Sequence, residues 1–140
     1  MSQINPYVGF NGRCREAMTF YKECLGGELE IQPVEGSPME AHCPPALKHQ
    51  ILHSALTKNS EILLMATDMV GPGGYINGNS LALSMSCTSE DEINRLYLAF
   101  TAEGQILDPL KLQFWGALFA TVTDKFGIRW MLNYDMNQKK

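Results

Sequence analysis

Apolar residues recur at Cys14, Ala17, Met18 and Tyr21, the i, i+3, i+4, i+7 stripe that one face of an α-helix presents to a core. The stripe predicts a helix over 13–25, with Asn11 as its N-cap and Gly26-Gly27 as its stop. Ile93, Leu96, Tyr97 and Phe100 repeat the pattern further on. There the helix opens on Ser89-Glu90-Asp91-Glu92, a capping box with Ser at the N-cap and Glu at N3, and Gly104 ends it.

Around these two stripes the pattern is β-rich. Residues 4–10 read as a strand, with Pro6 suiting an edge or a strand start because proline cannot donate to a ladder. Residues 28–34 read as a second strand, and 51–57 and 61–67 as a hairpin turned at Lys58-Asn59-Ser60. Residues 81–87 and 105–107 follow as strands. Last comes a hairpin of 117–123 and 128–133, closed at Asp124-Lys125-Phe126-Gly127 with a positive φ expected at Gly127. Alternation along its second strand puts Arg129, Met131 and Asn133 on one face and Trp130 and Leu132 on the other. Residues 35–48, with Pro38, Pro44 and Pro45, read as a long loop, and Gly71-Pro72-Gly73-Gly74 as a flexible connector.

Each half therefore runs strand, helix, then three strands. The expectation is an α+β fold of two βαβββ modules, about 1–70 and 78–140, within one domain spanning 1–140. Helices cover one face of such a sheet and leave the other free. Two modules side by side are then expected to form a cupped mixed sheet whose concave face is a natural cavity.

Composition narrows the class. A chain of 140 residues with 45% hydrophobic content can bury a core without disulfides or a structural metal. Net charge is −4 and the basic residues are scattered, which argues against nucleic acid and against an anionic membrane surface. The N-terminus lacks a signal-peptide pattern and no apolar run reaches bilayer length, so a cytoplasmic protein is expected. Cys14, Cys24, Cys43 and Cys87 form no CxxC pair, and two of them share one helix, which favours reduced structural thiols.

Candidate chemistry is sparse. His42, Cys43, His49 and His53 cluster locally. On a helix opened by Pro44, His49 and His53 would share a face and a metal; on a strand they would lie about 13 Å apart, too far for one ion. Glu61, Asp68 and Asp124 fall at turns or strand ends, where carboxylates cap backbone groups. Gly71-Pro72-Gly73-Gly74 lacks the Lys-Ser/Thr of a phosphate loop, and no GxSxG elbow is present. No glycine-rich strand-to-helix turn supports S-adenosylmethionine.

Pro6-Tyr7 with Phe10, Cys14, Glu16-Ala17, Phe20-Tyr21, Leu25-Gly26-Gly27, His53, Asp68, Phe114-Trp115, and Thr123-Asp124-Lys125-Phe126-Gly127 with Trp130-Met131 together span nearly the whole chain. In these residues the sequence resembles the vicinal-oxygen-chelate (glyoxalase/bleomycin resistance/dioxygenase) superfamily, and within it the PhnB-like branch. Relatives in that branch often carry a 3-demethylubiquinone-9 3-methyltransferase label. The resemblance implies paired βαβββ modules, a cupped sheet and a homodimer.

It also implies metal-ligand positions on the first and last strands of each module, which fall here on Asn5, Met65, Ser80 and Met131. A catalytic divalent site needs about three strong donors, and an amide, a hydroxyl and two thioethers do not supply them. The expectation is a metal-free binder of a small, partly apolar molecule, with no cofactor. Its pocket candidates are Tyr7, His53, Phe114, Trp115 and Arg129, and His53 is the one catalytic candidate. The alternatives are a glyoxalase-type lyase or isomerase, with a displaced metal or acid/base chemistry at His53, and a ligand-sequestering resistance-type protein. His53 equally fits a structural role between strands.

Overall fold

A computed structural model describes residues 2–69 and 74–137. The chain divides into two compact units, Met1–Ile76 and Asn77–Lys140. Of the connector, Gly71, Pro72 and Gly73 lie outside the described residues.

The first unit runs β1 (Tyr7–Gly9), α1 (Cys14–Leu25), β2 (Glu28–Pro33), β3 (Ile51–Lys58) and β4 (Glu61–Thr67). Its sheet has the order β1-β4-β3-β2, with β1 parallel to β4 and the other pairs antiparallel. The second unit repeats the scheme with β5 (Leu83–Ser86), α2 (Glu90–Thr101), β6 (Gln105–Leu112), β7 (Ala117–Thr123) and β8 (Arg129–Asp135), ordered β5-β8-β7-β6. These are the two βαβββ modules of the α+β fold that the hydrophobic pattern predicts.

Local departures have identifiable causes. Strand β1 is shorter than 4–10 because ladder pairing starts only at Tyr7; before it, the Pro6 carbonyl accepts the Met65 N–H at 3.0 Å. Strand β5 is likewise shorter than 81–87. Strand β6 runs five residues past the expected end. It is an edge strand, and its pairing with β7 is irregular between Asp108 and Lys111, which is where Pro109 sits. An edge with a broken register tolerates a residue that cannot donate. The 35–48 loop contains two short 3₁₀ turns, Glu40–His42 and Pro45–Leu47.

The start of α1 corrects an expectation. Asn11 is not its N-cap; that position is Arg13, whose side chain makes no cap hydrogen bond. The amides are instead taken by Asp68, from just beyond β4. Its Oδ1 accepts Gly12 N–H at 2.9 Å and Cys14 N–H at 3.0 Å, and its Oδ2 accepts Ile51 N–H at 2.9 Å. The carboxylate is only 4% exposed and ties a helix start to two strands. Helix α2 follows the expected capping box: Ser89 Oγ accepts Glu92 N–H at 3.0 Å. The Glu92 carboxylate in turn accepts Thr88 N–H at 2.8 Å.

Core packing follows from the stripes. Cys14, Ala17, Met18 and Tyr21 of α1 are fully buried, as are Leu56 of β3 and Ala66 of β4. Ser54 is buried with them: its hydroxyl donates to the Ala66 carbonyl at 2.9 Å and lies 3.4 Å from Cys14 Sγ. Desolvation pushes the Cys14 thiol up from 9.0 to about 11, against the opposing effect of the Ser54 hydrogen bond. Cys87 is raised to about 11 as well, again chiefly by burial. All four cysteines are free.

In the second unit Ile93, Leu96 and Phe100 of α2 are buried, and the Trp130 ring stacks on Phe100 at 4.7 Å. Asp124, 2% exposed, accepts Phe126 N–H, Ile128 N–H and Trp130 Nε1–H, so it holds the β7–β8 turn and the indole together. Gly127 has φ 87°, as the turn requires. Gly27 has φ 93°, and a Cβ there would collide with the Thr57 carbonyl. Among the described residues no helix is long and apolar enough to cross a membrane.

Candidate functional site

In the first unit, Ser54 reaches α1 and so fixes which face of the sheet is covered. By alternation the open face carries His53 and Ala55 of β3, with Met65 and Thr67 of β4 and Tyr7 and Gly9 of β1. Register places Tyr7 opposite Met65, Met65 opposite Ala55, and Ala55 opposite Glu30. The adjacent row holds Gly9 opposite Thr67, and His53 opposite Gln32.

Tyr7 and His53 meet on this face. Tyr7 Oη lies 2.9 Å from His53 Nδ1, and the rings are tilted by 44° at a centroid distance of 5.7 Å. Two tautomers satisfy the contact. With the phenol donating, Nε2 carries the proton and is a donor; with Nδ1–H donating, Nε2 is an acceptor and the phenol proton is free. Tyr7 is 52% exposed, so the pair is open to a ligand. Thr67, between the two strands, is committed to the backbone through the Ile51 and Leu52 carbonyls.

The remaining pocket candidates belong to the second unit. Phe114 and Trp115 stand at the tip of the β6–β7 hairpin, ring to edge at 5.0 Å, and Trp115 also meets Phe119 at 5.9 Å. Phe114 is 96% exposed. Arg129 donates from its guanidinium to the Asn79 carbonyl at 3.1 Å. Trp130 and Leu132 are buried while Met131 is 37% exposed, so the predicted parity of β8 holds.

Strand register shows what faces the two methionines named as family ligand positions. Met65 and Met131 occupy corresponding places in the two sheets, each on the last strand of its unit. Their partners on the first strands are Tyr7 and Ser84. Asn5 and Ser80 fall before β1 and β5 begin, two and four residues short of that register. The Asn5 amide and the Ser80 hydroxyl add no strong donor to the set. Phenol, hydroxyl and two thioethers form an uncharged, mostly weak donor set that does not fit a divalent cation.

The histidine cluster does not assemble. Residues 51–58 form β3, so His49 and His53 share no helix face; His49 Nδ1 instead lies 3.4 Å from Glu35 Oε2. Among the described residues no three His, Cys, Asp or Glu side chains are placed to hold a metal ion. Asp68 and Asp124 act on backbone and indole N–H groups, the capping role expected of them. Sequence reading missed Glu30 and Gln32 as members of the open face, although the alternation of 28–34 carries that information.

Comparison with known proteins agrees with this architecture. Residues 3–132 match the family model of the Glyoxalase/Bleomycin resistance protein/Dioxygenase superfamily. Protein YjdN of Escherichia coli strain K12 is 27% identical over 139 residues, covering 93% of each chain. The crystal structure of protein PA1353 from Pseudomonas aeruginosa is 37% identical, with a TM-score of 0.82 over 96% of this chain and 98% of that one. A putative 3-demethylubiquinone-9 3-methyltransferase, PhnB protein, from Bacillus cereus is 25% identical, with a TM-score of 0.75 over 95% and 99% of the two chains. With the paired βαβββ units and these matches in hand, the chain belongs to the Glyoxalase/Bleomycin resistance protein/Dioxygenase superfamily, in its PhnB-like branch.

Proposed function

We propose that this PhnB-like protein is a metal-free, homodimeric, cytoplasmic binder of a small, partly apolar molecule. The observation that carries this reading is the pair of methionines, Met65 and Met131, at corresponding last-strand positions, partnered by Tyr7 and Ser84. Thioethers are soft, weak donors that do not support Ni, Zn, Fe or Mn without anionic neighbours. They do offer a polarizable apolar surface to an organic ligand.

Elemental analysis of protein purified without chelators tests the metal statement. The expected result is far less than one transition-metal ion per chain. Near-stoichiometric metal, lost on substitution of Met65 or Met131, would overturn it. Sedimentation at micromolar concentration tests the dimer, and a single monomeric mass would count against it. The methyltransferase named in the Bacillus cereus relative is not carried over, because two mixed four-stranded sheets provide no doubly wound nucleotide site.

A second reading is favoured by one contact, the Tyr7–His53 hydrogen bond. A histidine with one ring nitrogen engaged and the other available is equipped for acid/base chemistry of the lyase or isomerase type. Prolonged incubation with a bound ligand separates the readings. Product formation lost in His53→Gln supports the enzyme, whereas stoichiometric binding without product supports binding or sequestration.

A further inference from the structure

The open face of the first sheet has a charge asymmetry that bears on its ligand. Glu30 stands in the row of Tyr7, Met65 and Ala55, and Glu28 lies two residues before it on the same side of β2. The single lysine or arginine among the strand residues of this sheet is Lys58, and its Nζ donates to the Leu25 carbonyl at 2.9 Å, at the end of α1. Apart from the His53 imidazole, no side chain on these strands compensates an incoming anion, and carboxylates border the approach.

The relief of the face is equally specific. Ala55 and Thr67 provide small side chains around the Tyr7–His53 pair, and a Cβ at Gly9 would meet nothing within 4 Å. A floor of small residues with a half-exposed phenol ring and a thioether beside it suits a flat apolar body. Beyond the ring, His53 has Nδ1 engaged by Tyr7 and offers Nε2 as its remaining polar atom.

Resting on the small-molecule reading above, we infer that this face takes an uncharged, planar compound bearing a carbonyl or amide group, and discriminates against carboxylates and phosphonates of the same shape. In the bound state Tyr7 donates to Nδ1 and Nε2–H donates to the ligand oxygen. Met65 and Ala55 contact the ring beside the Tyr7–His53 pair. Glu30 acts as the discriminating residue by repelling negative charge.

The test uses benzamide, benzoate and phenylphosphonate, three probes with one ring and different charge, titrated into the full chain while the His53 ring signals are followed by NMR. Expected is saturable benzamide binding at least tenfold tighter than either anion, and lost in His53→Gln and in Tyr7→Ala. Glu30→Gln, an exposed change, is expected to narrow the gap between benzamide and benzoate several-fold, by tightening benzoate. Equal or tighter binding of the anions, no binding of any probe, or a gap untouched by Glu30→Gln would each overturn the inference. Metal content measured on the same samples keeps the outcomes separate. Bound metal defeats the metal-free reading, whereas the Glu30→Gln comparison reports on charge selection alone.

Discussion

Helices α1 and α2 occupy the same place in their units and begin in opposite ways. Helix α2 is capped by its own sequence, through Ser89 and Glu92 three residues apart. Helix α1 is capped by Asp68, more than fifty residues away, whose second oxygen also holds the first amide of β3. A local cap stabilises one helix end, whereas the remote carboxylate makes the helix start, β3 and the end of β4 depend on each other. The first unit therefore concentrates at one buried charge what the second distributes between a capping box and Asp124.

The largest effect is expected from Asp68→Ala. It leaves three amide donors, two of them in buried surroundings, without their acceptor and should cost about 3–5 kcal/mol, read as the shift in urea unfolding of the full chain. Asp124→Asn comes next, at about 2 kcal/mol. Its amide oxygen can still accept the turn N–H groups, but the nitrogen then faces the Trp130 Nε1–H donor. Ser89→Ala should cost about 1 kcal/mol, the usual value of a lost N-cap. A Ser89 cost equal to that of Asp68 would erase the distinction between the two helix starts.

Smaller again is Glu16→Ala, which breaks the exposed Arg13–Glu16 pair and should change stability by less than about 0.5 kcal/mol. At neutral pH the buried thiols contribute no pH dependence. Their folded pKa lies above the ordinary 9.0, so the neutral form is favoured by folding. That contribution is complete below pH 9.0 and is lost as pH rises through about 11. A melting series should be flat across pH 7–8.5 and fall at more alkaline pH; replacing Cys14 and Cys87 with Ala should reduce that alkaline fall.

The same contrast marks what the sequence could disclose. The α2 box was readable because both partners lie within one turn of chain. Asn11 was a reasonable but wrong cap for α1, since nothing local announces that Asp68 will arrive from the end of β4. Both βαβββ units and the parity of β8 follow from short-range periodicity. Strand β6 extends past 107 through Pro109, which only its place at an edge makes acceptable.

The candidate site shows the same limit. Tyr7 and His53 were both singled out, but their contact spans 46 residues and depends on β1 entering the sheet beside β4. The strand partners of Met65 and Met131, Tyr7 and Ser84, were not readable for a related reason. Short first strands have little alternation to fix their phase, whereas β4 and β8 are long enough to fix the faces of Met65 and Met131.

The two indoles have an optical consequence. The chain contains two tryptophans, and both belong to the second unit: Trp130 stacked in its interior and Trp115 half-exposed at a hairpin tip. Trp130 emission should be blue-shifted and shielded from iodide, and Trp115 emission red-shifted and quenchable. Residues 1–76 are dark at tryptophan wavelengths, so intrinsic fluorescence has no direct reporter of lost structure around Asp68. Only backbone circular dichroism recorded alongside it reveals whether the two units melt as one.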